Sequence, residues 1–174
     1  KTNVLSFSPE QFFNVKKNYI YSYPMKGTRP RSNNKKEDLK YKNELKKSIK
    51  DQAEHLMIVD LMRNDIGKIS KYGTVKVNNL FKINSYETVH QMVSEVVGEL
   101  SENIKETDII KALFPGGSIT GAPKESAMKI IDYLENYNRN IYTGALGFIK
   151  NNGEMNFNIS IRTMTINNNT AYYP

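Results

Sequence analysis

Eleven consecutive residues, Phe114-Pro115-Gly116-Gly117-Ser118-Ile119-Thr120-Gly121-Ala122-Pro123-Lys124, carry the densest chemical signal in the chain. Glycines let backbone approach a ligand closely, and Pro123 suits a first helical turn, where a missing N–H is harmless. The apolar residues Ala127, Ile130, Ile131 and Leu134 follow at helical spacing. First-turn N–H groups and the positive helix end would then make an anion site. An ordinary loop-to-helix turn has the same composition, so glycine content alone leaves both readings open. A second signal is Pro24-Met25-Lys26-Gly27-Thr28-Arg29-Pro30-Arg31, where a strand end bounded by prolines gathers cations. A third is Asp51, Glu54 and His55, at i, i+3 and i+4 on one helix face. Carboxylates on adjacent turns can supply oxygen ligands to Mg²⁺, although such residues also simply solvate a helix. Arg162 falls on the polar side of an alternating strand, and His90 sits beside Val89 on an apolar stripe, where a histidine is more often structural.

The elements that must position these groups can be read from periodicity. Val4-Leu5-Ser6-Phe7 alternates like a strand, and Ser8-Pro9-Glu10 predicts an N-cap and a single helical turn, with Glu10 complementing its dipole. Tyr19–Tyr23 predicts a strand. One long helix is expected from about Lys36 to Asn64, burying Leu45, Ile49, Ala53, Leu56 and Met57 and closing at Gly67. Val75–Val77 reads as a short strand. A helix is expected from Ser85, with Val89, Met92, Val93, Val96 and Leu100 on its apolar side. After the glycine-rich loop and its helix, Tyr142–Ile149 and Met155–Arg162 form a hairpin through Asn151-Asn152-Gly153, with Met155, Phe157, Ile159 and Ile161 facing one way. Asn167-Asn168-Asn169 turns into a last strand, Thr170–Tyr173, so the sheet reads as unfinished at Pro174.

At 174 residues, with 39% hydrophobic and 25% charged residues, the chain fits one domain, or part of one, with a single core. No apolar run approaches a membrane span and no signal peptide is visible, so no membrane association is expected. Cysteine is absent, which fits a cytoplasmic location and excludes disulfide and thiolate chemistry. The net charge of +7 comes from 20 Lys and five Arg, and nine of these basic residues crowd between Arg29 and Lys50. Tyr41 is the only aromatic within that run and acidic residues interleave it, so a solvated lysine face is favoured over a nucleic-acid footprint.

Taken together, Ser8-Pro9-Glu10, Pro24–Pro30, Ala53-Glu54-His55-Leu56-Met57-Ile58-Val59-Asp60-Leu61, Arg63-Asn64-Asp65, Phe114–Lys124 and Ile161-Arg162-Thr163 resemble the chorismate-utilising enzymes. The resemblance implies an α/β sandwich of two antiparallel sheets flanked by helices. Residues 1–174 would form the central part of one chorismate-binding catalytic domain, incomplete at both ends. The absent downstream stretch would hold further metal-binding glutamates. Lys26 and Gly-Gly-Ser-Ile-Thr-Gly-Ala-Pro-Lys look like the aminodeoxychorismate synthase branch (component I), because anthranilate synthases have alanine at the first position.

That resemblance implies amination of chorismate at C4. Lys26 would attack ring C2 and expel the 4-hydroxyl, and ammonia from a glutamine amidotransferase partner would then displace the lysine. It implies Glu10 as general acid/base and His90 near the leaving group, with Thr28, Ser118, Tyr142 and Arg162 around the ring and a carboxylate. It also implies Mg²⁺ held by Glu54 and more doubtfully by Asp51, while Arg29 and desolvation would keep Lys26 neutral. Anthranilate synthase, another chorismate enzyme, or a basic nucleic-acid-binding module are the alternatives.

Overall fold

The computed structural model describes residues 2–174. All strand pairings are antiparallel and fall into two sheets. The smaller sheet joins β1 (Thr2–Ser6), β9 (Thr163–Asn167) and β10 (Thr170–Tyr172). The larger has seven strands: β2 (Gln11–Lys16), β3 (Tyr19–Ser22), β4 (Met25–Pro30), β5 (Lys76–Ser85), β6 (Val89–Glu99), β7 (Ala145–Ile149) and β8 (Met155–Ile159). The expected two-sheet α/β sandwich is therefore present.

Strand β6 is the axis of the large sheet. Along one edge it pairs first with β4 (Pro30 opposite Val89) and then with β3 (Tyr19 opposite Glu99). Along the other it pairs with β5. The expected helix from Ser85 is thus a strand. Its inward residues are His90, Met92, Ser94, Val96 and Gly98, all buried, with period two. Three of these five are not hydrophobic, which hid the alternation, while Val89, Met92, Val93 and Val96 also satisfy a helical spacing.

The expected long helix is two: α1 (Lys35–Lys47) and α2 (Ile49–Gly67). Ser48 separates them in an extended conformation, ending α1 and capping α2 by accepting a hydrogen bond from the Asp51 N–H at 3.3 Å. The break rotates the buried stripe. Leu45 is buried as expected, but Ile49, Ala53, Leu56 and Met57 are exposed, and α2 instead buries His55, Ile58, Val59, Met62, Asp65 and Ile66. The helical turn expected after Ser8 is also absent; β2 begins at Gln11, while Ser8 caps the bend itself by accepting the Glu10 N–H at 3.2 Å.

The core forms where α2 and α3 (Glu106–Leu113) meet the sheet, from Phe12, Phe13, Ile20, Val59, Met62, Ile66, Val96, Leu113, Met155 and Ile159. Each such side chain contributes roughly 1.5–3 kcal/mol of hydrophobic burial. Phe13 stacks on Phe157 across β2 and β8 with ring centroids 5.1 Å apart. By contrast α4 (Lys124–Leu134) buries no hydrophobic side chain among the described residues, and Ile130 and Leu134 of its apolar stripe face outward. No helix of the described residues is long and apolar enough to cross a membrane.

Among the described residues, His55 is the one titratable side chain sealed in the helix–sheet layer without a charge partner. Its Nε2 shares a 2.7 Å hydrogen bond with the Ser94 hydroxyl, and its Nδ1 has no partner. Burial pushes its pKa from 6.5 down to about 4. The folded state therefore binds fewer protons than the unfolded chain between these values, so stability present above pH 6.5 is lost as pH falls towards 4. The loss assignable to His55 should reach about 3 kcal/mol. Urea unfolding at pH 7 and pH 4.5 checks this: the drop should be distinctly smaller in His55→Gln than in the wild type. Equal drops in both would place the acid sensitivity elsewhere.

Candidate active site

Two chain segments cross between the sheets side by side. One, Phe7–Glu10, links β1 to β2, and the other, Ser160–Arg162, links β8 to β9. They are bonded to each other, since the Phe7 N–H donates to the Arg162 carbonyl at 3.0 Å and the Ile159 N–H donates to the Glu10 carbonyl at 3.1 Å. Both crossovers thus lie at the seam of the sandwich, and each carries one of the expected site residues.

Glu10 is half-buried there. Burial raises its pKa above the ordinary carboxylate value, and the Ser118 side chain and the Lys26 charge pull in the opposite direction. Ser118 comes from the 3-10 turn Gly117–Ile119 in the glycine-rich loop. That loop lies flat against the core for lack of side chains. A Cβ on Gly116 would stand 2.6 Å from Ile159 Cδ1, and one on Gly117 would stand 2.6 Å from Leu61 Cδ2. Lys26 comes from β4, where the pairing with β6 slips between Met25 and Thr28, and Gly27 adopts φ +88°. Its ammonium lies 3.3 Å from Glu54 Oε2 on α2. Four expected residues from four elements therefore lie in one region: Glu10 and Ser118 line the same small cavity, Lys26 pairs with Glu54, and the Lys26 charge acts on Glu10. Thr28 is exposed two residues along β4 from Lys26.

The structure places the other expected residues as follows. Arg162 does not sit on a strand face but at a left-handed turn (φ 47°) after β8 ends. It is exposed at the seam. Tyr142 precedes β7; beside it, the Thr143 N–H donates to the Ser160 carbonyl, and the residue lines an open cavity of about 860 Å³ between the small sheet and the Tyr137–Tyr142 segment. His90 is nearly fully buried and both ring nitrogens are engaged, Nδ1 with Ser85 at 2.8 Å and Nε2 with Asp38 at 3.0 Å. Arg31 holds the same Asp38. That network ties α1 to the β5–β6 hairpin and leaves His90 no free nitrogen for a ligand. Arg29 does not face Lys26 but donates to Asp51 Oδ2 at 2.9 Å. Lys26 itself is half-exposed.

The same contacts bear on a metal. Asp51 is committed to Arg29, and Glu54 is shared by Lys26 and, at 4.0 Å, by Lys50. Among the described residues no group of three or more His, Asp or Glu side chains converges as a metal site. One half-exposed carboxylate supplies at most one ligand to Mg²⁺, which takes several in near-octahedral array.

Residues 1–174 match the family described as chorismate binding enzyme. The chain belongs to the chorismate-binding enzymes. It is 46% identical over 169 residues to aminodeoxychorismate synthase component 1 of Salmonella typhimurium, covering 97% of this chain and 37% of that protein. It is 47% identical over 164 residues to anthranilate synthase component 1 of Saccharolobus solfataricus, covering 94% and 39%. The crystal structure of anthranilate synthase component I from Streptococcus pneumoniae superposes with a TM-score of 0.88 at 35% identity, over 98% of this chain and 37% of that one. The chain thus spans under two fifths of the length of these chorismate-binding relatives.

Several pairings in the site escaped sequence reasoning. Asp65 and Lys124 form a buried ion pair beneath the glycine-rich loop, Asp51 serves Arg29, and Asp38 serves His90. The Ser48-x-x-Asp51 spacing was a visible N-cap signal; the partners of Asp65 and Asp38 lie 59 and 52 residues away and had none.

Two outcomes follow from this geometry. Ser118→Ala should raise the Glu10 pKa further, because a group favouring the carboxylate is removed while burial remains. Carbon-13 NMR titration of the Glu10 carboxyl reads this directly, and an unchanged or lowered value would show that Ser118 does not serve Glu10. Mg²⁺ should bind this chain only in the millimolar range or weaker, as about one carboxylate ligand allows. Calorimetry giving micromolar affinity would mean that the ligand shell closes within these residues after all.

Proposed function

We propose that this chain carries the nucleophile and general acid of an aminodeoxychorismate synthase, which aminates chorismate at C4. The observation that carries the reading is the Lys26 ammonium on β4 standing 3.3 Å from Glu54, with its charge acting on the half-buried Glu10. Lysine at this position and the Gly-Gly-Ser-Ile-Thr-Gly loop favour this branch over anthranilate synthase, although relatives of both kinds are equally similar in overall identity.

The ion pair with Glu54 opens and Lys26 gives up a proton before it can attack. Its Nζ bonds to C2 of the ring, the double bonds shift, and the C4–O bond breaks as Glu10 donates its proton, so that water leaves. A carboxyl raised by burial is protonated in a larger fraction of molecules near neutral pH, which suits it to that step. Ammonia then bonds to C4, the double bonds shift back, the C2–Nζ bond breaks, and Glu10 regains a proton from the incoming amine. Arg162 and Thr28, exposed at the seam and on β4, are assigned to substrate carboxylate and ring contacts, and Tyr142 to the cavity wall. In this reading a glutamine amidotransferase supplies ammonia, and the enzyme works in the cytoplasm. Mg²⁺ would take Glu54 as one ligand and the rest of its shell from outside these residues.

With full-length protein, chorismate and no ammonia, a covalent adduct should accumulate at Lys26, seen as a mass shift of the intact protein. Lys26→Ala should abolish it and lower kcat by at least about a hundredfold, with KM changed little. Undiminished adduct in the alanine variant would remove Lys26 as nucleophile. With ammonia supplied, anthranilate among the products instead of 4-amino-4-deoxychorismate would favour the other branch.

A further inference from the structure

Lys124 is the last residue of the glycine-rich stretch and the first of α4, and its side chain reaches back to α2 and the end of α3. Its Nζ donates to Asp65 Oδ2 on α2 and, at 3.0 Å, to the carbonyl of Leu113, the last residue of α3. The Asp65 side chain is 2% exposed and that of Lys124 only 14%. Lys68 reaches the other Asp65 oxygen at 2.8 Å, so the carboxylate is fully engaged. One ammonium therefore bonds both ends of the intervening loop, Leu113 before it and Lys124 after it, to a fixed point on a core helix.

That fixed point has a neighbour. Leu61 precedes Asp65 by one helical turn on the same face of α2, and Gly117 lies directly against Leu61. The loop is thus held at two successive levels of α2, by apolar contact at Leu61 and by the ion pair at Asp65. Between these holds the chain has only weak internal ties: the Thr120 hydroxyl donates to the Gly116 carbonyl at 3.0 Å, and the Ile119 N–H reaches it at 3.4 Å. Ser118 lies in this segment and lines the same small cavity as Glu10, so its place there depends on where the loop ends are fixed. A buried ion pair is weak evidence for net stability but breaking one leaves an unpaired buried charge, so its geometry is strongly enforced.

We propose that Lys124 is a positioning residue: clamped between Asp65 and the Leu113 carbonyl, it closes the loop and sets Ser118 against Glu10. The role assigned to Glu10 rests on the function proposed above; the clamp itself does not. Lys124 is accordingly not a substrate-binding cation, despite ending a loop whose composition invites that reading.

The test uses the full-length protein as wild type, Lys124→Met and Asp65→Asn. Hydrogen exchange read by mass spectrometry should show peptides spanning Gly116–Thr120 exchanging about tenfold faster or more in both variants, with β6 peptides unchanged. Wild-type protection of the loop in either variant would overturn the clamp. Should Lys124→Met fail to fold, Asp65→Asn, which keeps side-chain volume, carries the same comparison. With chorismate as substrate, Lys124→Met should lower kcat by about ten- to a hundredfold while KM moves little, as expected for a displaced catalytic neighbour. The loss should vanish in a Ser118→Ala background, because the clamp acts through that residue. Additive losses would show that Lys124 serves stability alone and would overturn the positioning role. Since exchange needs no substrate, a protein inactive on chorismate would remove the functional reading and leave the clamp judged on its own measurement.

Discussion

The close seating of α2 on the inward face of β6 is the constraint from which the remaining geometry follows. Gly98 allows it: a Cβ there would stand 2.3 Å from Ser70 Oγ and 2.8 Å from Ile66 Cγ2. Further along the same contact, His55 bonds Ser94, and the Ser94 hydroxyl also accepts the Phe81 N–H of the irregular stretch in β5. A helix held at both ends against a central strand cannot rotate, because protein interiors are packed too densely to accommodate the shift. Its outward residues are therefore fixed in direction as firmly as its buried ones.

Those outward residues, together with the buried Asp65, build the candidate site. Asp51 and Glu54 meet Arg29 and Lys26 of β4, while Leu61 and Asp65 receive the glycine-rich loop. A single helix thus positions the lysine, its carboxylate partner and the loop that brings Ser118 to Glu10. The two sheet crossovers supply the rest, and their mutual hydrogen bonds fix Glu10 and the Arg162 backbone in relation to one another. Charged groups at such a seam feel less water than on an open surface, so each pairing strengthens and each burial shifts a proton equilibrium. Glu10, raised by burial and opposed by Ser118 and Lys26, shows both effects at one atom pair.

How much of this was legible depended on whether the signal was local. Turn residues and motif order were local, so the Tyr19 strand, the Asn151-Asn152-Gly153 hairpin, the helix after Pro123 and the family resemblance were all readable. The β6 strand was not, because its inward positions include His90, Ser94 and Gly98, which are inward for reasons of bonding and close approach rather than hydrophobicity. The stripe of α2 was misplaced by extending it through Ser48, whose capping role interrupts the helical phase. Arg162 read as a strand residue because its alternation continues past the last β8 hydrogen bond into a left-handed turn.

The sequence by itself determined which chemistries were available. Lysine, carboxylate, hydroxyl and glycine occur in ordered motifs, because residue type and near-neighbour spacing are properties of the chain alone. Only the tertiary structure decided which charge meets which. Lys26 faces Glu54 while Arg29 faces Asp51, and Lys124 turns inward to Asp65. His90 is spent on Asp38 and Ser85. An ion pair or hydrogen bond is made by proximity in space, and proximity across 59 residues is set by the packing of helices on a sheet rather than by any local pattern.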